Sequence, residues 1–280
     1  MLRKLLRWIS SLRMVSSLAR WLGIAPLLRR AYHRWAVPND IFTVQLADFS
    51  ITLYAKTGKE LLQHEGALVT ERGWSERPLL EAFLSFLRPG DVAYDVGASL
   101  GLYSVALGRR VGERGRVIAF EPVRGNFECL RANIGLNHLQ NVSCFQMALG
   151  ERDAKADIYT DPEQPWCSTL IERAGGASGR SGRVESVDIV EGDSSRFKQG
   201  LPIPRALKID VEGFEYAVIR GLRRTLSDPA CRFLGCEIHP CWLPTGITPE
   251  RIMEMLQGLG FSRMQVSSRG REQQFSCYKE

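Results

Sequence analysis

A chain of 280 residues, 44% hydrophobic and 24% charged, has the length of one or two domains and the composition of a globular protein with a full core. Its net charge of +6 is local: residues 1–36 hold eight of the 37 Lys and Arg and no acid, leaving 29 bases against 31 acids over the rest. A body so near neutrality excludes a nucleic-acid groove running across it, and seven scattered cysteines, an odd number, fit a reducing, cytoplasmic compartment rather than a disulfide framework.

Within residues 1–40, Leu5, Trp8, Leu12, Val15, Ala19 and Leu22 recur at three- and four-residue steps, which predicts a basic amphipathic helical extension. Arg interrupts every window long enough to span a bilayer. A helix of this kind suits an anionic membrane surface, so peripheral association through residues 1–36 is one expectation. Packing on the body, an oligomer contact or a transit peptide are the others. Residues 41–77 read as a small separate region, with strands over IFTVQL and SITLYA.

From residue 78 to 280 the pattern is that of one larger domain. SERPLLEAFLSFL predicts a helix, with Ser75 as N-cap, Pro78 in the first turn and Pro89–Gly90 as the stop. Strands at Val92–Val96, Arg116–Phe120 and Val142–Met147 alternate with helices at Gly101–Val111 and Asn126–Leu136. Short strands at Asp157–Thr160, Ser168–Ile171 and Val184–Val190 surround the Gly- and Ser-rich ERAGGASGRSGRVE, a loop placed to cover a substrate. Strands Ala206–Asp210 and Phe233–Ile238 flank a helix at Phe214–Leu226. A helix at Thr248–Leu259 and a hairpin turning at Ser268–Gly270 close the chain. The alternation predicts an α/β fold, a doubly wound and mostly parallel sheet with an antiparallel edge hairpin.

In such sheets ligands lie beyond the carboxyl ends of the strands. The first delivers Asp95, Gly97, Ala98, Ser99 and Gly101, a tight turn into a helix N-terminus whose N–H groups can meet a polar ligand. The spacing G-x-x-x-G and the acid at Asp95 disfavour a pyrophosphate and favour a cationic ligand. Glu121 follows Gly101 by 20 residues, the spacing of an acid that accepts ribose hydroxyls. A ribose with a cationic group points to S-adenosylmethionine. Further on, Glu237 and His239 alternate onto one face beside Asp210 and Glu212. They could form a base and its orienter, a metal site of Asp210, Glu212 and His239, or a structural network. Cys231, Cys236 and Cys241 surround His239, but their spacing matches no common zinc pattern.

Taken together, VAYDVGASLGLYSVALG, VIAFEPVRGNFECLRANIGLN, NVSCFQMALGE, CSTL, LKIDVEGFEYAVIRGL and CEIHP resemble, in this order, the FkbM family of S-adenosylmethionine-dependent methyltransferases over about residues 78–240. The resemblance implies a class I methyltransferase fold with a seven-stranded sheet and O-methylation of a small-molecule or glycan hydroxyl acceptor, on a sugar, glycan or polyketide-like metabolite. It implies that Asp95, Gly97, Ser99 and Gly101 contact the methionine part of the cofactor, Glu121 the ribose with Asn126 in support, and Gln146, Met147 and Ala148 the adenine. Asp210, Glu212, Glu237 and His239 are then near the transferred methyl. The family commonly has Asn where this chain has Ser99, and a serine pair where it has Cys167 and Ser168.

On this reading His239 is the first candidate for the base, because an unperturbed imidazole titrates near 6.5. Asp210 is the alternative, and Glu237 or Asp210 the orienter. An NAD-dependent oxidoreductase is one rival, disfavoured by the missing G-x-G-x-x-G. A membrane-tethered module that binds a nucleoside without turnover is the other.

Overall fold

The computed structural model describes residues 37–46, 48–56, 60, 64, 76–161, 164–169 and 183–280. The expectations for residues 1–36 and for most of the Gly- and Ser-rich loop lie outside the described residues, and the helix predicted over SERPLLEAFLSFL has Glu76 at its N-cap, with no side-chain cap bond, where Ser75 was expected.

Strands β1 (Ile41–Gln45) and β2 (Ser50–Tyr54) form an antiparallel hairpin, Ile41 opposite Tyr54. Phe42, Val44, Ile51 and Leu53 are buried, the alternation that period-2 strands require to cover a core. Helix α1 (Arg77–Phe86) opens with Pro78 in its first turn and buries Leu79, Leu80, Phe83 and Leu84. There follow β3 (Val92–Val96), α2 (Leu102–Val111), β4 (Arg116–Phe120), α3 (Arg124–Leu136) and β5 (Val142–Phe145).

Later in the chain come β10 (Ala206–Ile209), α5 (Glu215–Gly221), α6 (Arg223–Ser227), β11 (Phe233–Ile238), α7 (Pro249–Gly258), β12 (Arg263–Arg269) and β13 (Glu272–Tyr278). The main sheet has seven strands in the order β12-β13-β11-β10-β3-β4-β5, parallel except for β13, which enters between β11 and β12 as the returning arm of the closing hairpin. This is the class I methyltransferase architecture that the sequence leads one to expect. The order reverses between β3 and β10, which places a binding crevice above their carboxyl ends.

One face of the sheet packs on α1, α2, α3 and the β1–β2 hairpin through Leu80, Phe83, Val105, Leu130, Ile51 and their neighbours. The other packs on α5, α6 and α7 through Val218, Ile219, Leu226, Ile252 and Leu256. Cys231 and Cys236 belong to this second core, where a thiol acts as a small apolar group.

A second sheet, in the order β6-β9-β7-β8, is built from β6 (Ala148–Gly150), β7 (Ala154–Asp161), β8 (Gln164–Thr169) and β9 (Arg183–Glu191). Here β7 and β9 extend the segments expected at Asp157–Thr160 and Val184–Val190, β8 begins at Gln164 rather than at the expected Ser168, and β6 was not expected. The single helix expected over Phe214–Leu226 is broken at Leu222. The cause is a partner distant in sequence: Asp193, in α4 (Gly192–Lys198), accepts Arg224 N–H at 2.7 Å, Thr225 N–H at 2.9 Å and Thr225 Oγ1–H at 2.6 Å, capping α6 from outside.

Candidate active site

The turn after β3 is held from three sides, and most of its backbone groups have identified partners. Gly97 and Ala98 N–H donate to Phe120 C=O, both at 3.0 Å, and Gly101 N–H donates to Ala98 C=O at 2.8 Å. Ser99 N–H donates to Glu121 Oε2 at 2.8 Å, Lys208 Nζ to Gly97 C=O at 2.8 Å, and Asn133 Nδ2 to Leu100 C=O at 2.7 Å. Gly97, Ser99 and Gly101 all have positive φ, of 78°, 49° and 91°. The glycines are needed for close packing as well as for conformation. A Cβ at Gly97 would lie 1.9 Å from Asp210 C=O, and one at Gly101 would meet Leu130 Cδ1 at 2.7 Å. Ser99 therefore adopts a left-handed turn that Asn tolerates better than Ser.

Asp95 differs from the expectation of an acid facing a ligand. Its side chain is fully buried. Oδ2 accepts Ser104 Oγ–H at 2.6 Å, while Oδ1 makes no hydrogen bond and lies 3.6 Å from Lys208 Nζ. Lys208 is the strand partner of Asp95 in register and bridges it to Asp210 Oδ2 at 3.3 Å, with the Tyr103 ring 5.1 Å away. Burial alone would lower the Lys208 ammonium, but Asp210 and Asp95 outweigh it and hold it above its ordinary value. Lys208 was legible in the KIDVEG stretch, yet only register across two strands reveals its partners.

Glu121, at the end of β4, accepts Val123 N–H at 2.9 Å on Oε1, with Asn126 Nδ2 at 3.5 Å. Burial raises its carboxyl to about 7 against the pull of these hydrogen bonds. Oε1 takes two donors, while Oε2, which accepts Ser99 N–H, keeps a further lone pair for a hydroxyl donor. Beyond β5, which ends at Phe145 rather than Met147, Gln146 is exposed and Met147 half-buried. Ala148 is buried within β6.

His239 is the centre of the second cluster. Its Nδ1 lies 2.7 Å from Glu215 Oε1, and its Nε2 lies 3.3 Å from Glu212 Oε2 and 4.0 Å from Asp210 Oδ1. Trp242 stacks on the ring at 5.4 Å and 11°. Burial would lower the imidazole, but the hydrogen bond with Glu215 and the charges of Glu212, Glu215 and Asp210 raise it to about 10. The expectation of an ordinary histidine titrating near 6.5 therefore does not hold. Glu212, with φ of 53°, is raised to about 8 by burial, against His239 and with Asp210 reinforcing the rise. Of the pair His239 keeps the proton, because two more carboxylates face it.

Glu215, absent from the expected set, holds the Nδ1 position that Glu237 or Asp210 was expected to fill. It is fully buried and also accepts Gly213 N–H at 2.8 Å. Its signal was the final acid of KIDVEG-x-E. Glu237 shares a face with His239 as period-2 alternation requires, and its Oε2 accepts Gln274 Nε2–H at 3.3 Å. Donor atoms of Asp210, Glu212 and His239 lie within 4.8 Å of one another, as do those of Glu237, His239 and Glu272.

Comparison with known proteins agrees with this architecture. The methyltransferase FkbM domain matches residues 95–263, more than half of the chain. Methyltransferase 1 of Beauveria bassiana is 29% identical over 147 residues, covering 46% of this chain and 57% of that protein, so the chain spans less than two thirds of that relative. Methyltransferase sdnD of Sordaria araneosa is 26% identical over 207 residues, 65% of this chain and 78% of that one. Hexuronic acid methyltransferase AglP of Haloferax volcanii is 22% identical over 200 residues, 71% and 75% of the two chains.

Proposed function

The chain belongs to the FkbM-domain methyltransferases, and from that premise we propose that it transfers a methyl group from S-adenosylmethionine to a hydroxyl of a sugar, glycan or polyketide-like metabolite. The observation that carries the cofactor is Glu121, an acid at the end of β4 whose Oε2 accepts Ser99 N–H of the glycine turn and keeps a lone pair for a ribose hydroxyl. The residues fit a nucleoside of this kind: Asn126 supports Glu121, and Gln146 is exposed next to Phe145, whose C=O accepts Glu121 N–H at 3.1 Å. When bound, the cofactor supplies an electrophilic methyl on a sulfonium.

Asp210 takes the part of base, the alternative of the sequence reading. Its side chain is 22% exposed and lies between Lys208 and His239. An acceptor hydroxyl entered between Asp210 and His239 donates its proton to the Asp210 carboxylate and accepts from the protonated imidazole. A carboxylate is base enough, because a hydroxyl gaining a methyl becomes a strong acid as the bond forms. Glu215 keeps His239 oriented and charged. As the O–CH3 bond forms the S–CH3 bond would break with its electron pair going to sulfur, so the products would be a methyl ether, S-adenosylhomocysteine and a proton that leaves Asp210 for solvent. Holding the oxygen at about 3 Å from the methyl supplies much of the rate.

The hexuronic acid methyltransferase among the relatives supports a sugar acceptor. Asp210, Glu212, Glu237 and Glu272 around the cluster disfavour an anionic one, so the reading is a neutral hydroxyl. The test is methyl transfer from labelled S-adenosylmethionine to a panel of sugars and polyols. Asp210→Asn is expected to lower kcat by about 10²- to 10⁴-fold while cofactor binding persists. Full turnover in that variant would remove Asp210 from the role. A divalent ion among Asp210, Glu212 and His239 is the second reading, favoured by their 4.8 Å convergence. Chelation separates the two, since the base reading expects activity to survive EDTA, and loss restored by Mg²⁺ would establish the metal.

A further inference from the structure

The N-x-x-x-N pair at the end of α3 has no part in the chemistry above, yet both amides are buried and bonded at both ends. Asn137 Oδ1 accepts Thr52 N–H at 3.1 Å, and its Nδ2 donates to Thr52 C=O at 2.6 Å and to Asn133 C=O at 2.8 Å. Asn133 is different in reach. Its Oδ1 accepts Tyr54 N–H from β2 at 2.7 Å, and its Nδ2 donates to Leu100 C=O of the glycine turn at 2.7 Å. One amide, 1% exposed, thus joins the N-terminal hairpin to the turn between Ser99 and Gly101.

We propose that Asn133 is a positioning residue that makes the β1–β2 hairpin part of the cofactor site, by fixing the Leu100 carbonyl and with it the Ser99 N–H that Glu121 accepts. The side chain serves β2 as a neighbouring strand would, taking an edge N–H that β1 leaves outward. A planar amide cannot move one end without the other, so displacement of Tyr54 is carried to Leu100. Loss of the bond to Leu100 leaves a buried carbonyl without that donor, in a turn already at positive φ on both sides. The hairpin's apolar residues pack in the same core as Leu130, which closes on Gly101, so the rigidity has a packed support.

The proposal rests on the turn holding S-adenosylmethionine, and its test separates the two. Binding of S-adenosylhomocysteine is measured by calorimetry on the full chain, on Asn133→Ala and on Tyr54→Pro, with thermal melts to establish folding. Asn133→Ala removes both ends of the bridge. Tyr54→Pro removes the N–H at the hairpin end, together with the ring that Lys56 faces at 4.7 Å, and touches nothing in the turn. Both variants are expected to bind about 3- to 10-fold more weakly, with KM for the cofactor raised and kcat at saturation unchanged. If Tyr54→Pro binds as the parent does, the hairpin is no part of the site and the proposal is overturned, whether or not Asn133→Ala folds. If the parent itself does not bind, the cofactor reading fails first, and this proposal with it.

Discussion

Glu121 makes the cofactor reading testable through pH. Its carboxyl is raised by burial to about 7, above the ordinary value near 4.5 that holds in the unfolded chain. The neutral form is therefore the one that burial in the fold favours. That contribution is fully present below about pH 4.5 and is lost as pH rises through about 7, so the ligand-free protein loses stability across this window, by on the order of 3 kcal/mol at most. Ribose hydroxyls donate to the ionised form, so cofactor affinity is expected to rise over the same window, with proton release on binding below pH 7. Calorimetry in two buffers of different ionisation enthalpy measures the release, and Glu121→Gln should abolish both the release and the pH dependence. Residue identities and strand ends made Glu121, Asp210 and His239 legible in the sequence. What sequence could not give was who faces whom: Lys208 on Asp95, or Glu215 on His239, follows from strand register and a helix start, and those partners decide protonation. At Asp95 register adds what the charge alone omits, since Lys208 Nζ lies 3.6 Å from its Oδ1.

The elements follow their local signals except where a distant residue intervenes. Pro78 falls in the first turn of α1 and Pro249 opens α7, as their sequence patterns predict, while Thr248, expected inside that helix, caps it by accepting Arg251 N–H at 3.3 Å. The break between α5 and α6 has no such signal, because its cap, Asp193, lies some thirty residues upstream. Asp193 is 3% exposed and takes two backbone N–H groups and a hydroxyl. Asp193→Ala is expected to destabilise the fold by about 2 kcal/mol, seen as a lower denaturation midpoint at unchanged slope, with Asp193→Asn milder. An unchanged midpoint would mean that α6 is held by packing alone. At Gly97 the expected loss is larger. Alanine there combines a φ of 78° with a contact of 1.9 Å on Asp210, and both the glycine turn and the Asp210 carboxylate would shift.

At the scale of the whole molecule, the sheet was the most legible feature. Alternating apolar strands and helices specify a parallel sheet with both faces covered, and the two cores observed are those faces. The β6–β9 sheet was the least legible, since its long pairing of β7 with β9 crosses a loop of weak pattern. Charge is polarised, with the basic excess confined to residues 1–36. No helix among the described residues is long and apolar enough to cross a membrane. The composition of that segment predicts flotation with anionic vesicles that is lost on deleting residues 1–36 and weakened by salt. Equal flotation of the two forms would assign the segment elsewhere.

The most direct test of the account is a calorimetric titration of S-adenosylmethionine into the intact protein and into Glu121→Ala, each checked for folding. Binding in the micromolar range that is lost in the folded variant is the predicted result, and it places the cofactor between the glycine turn and β4. Absence of binding by the intact protein, or equal binding by Glu121→Ala, would contradict it.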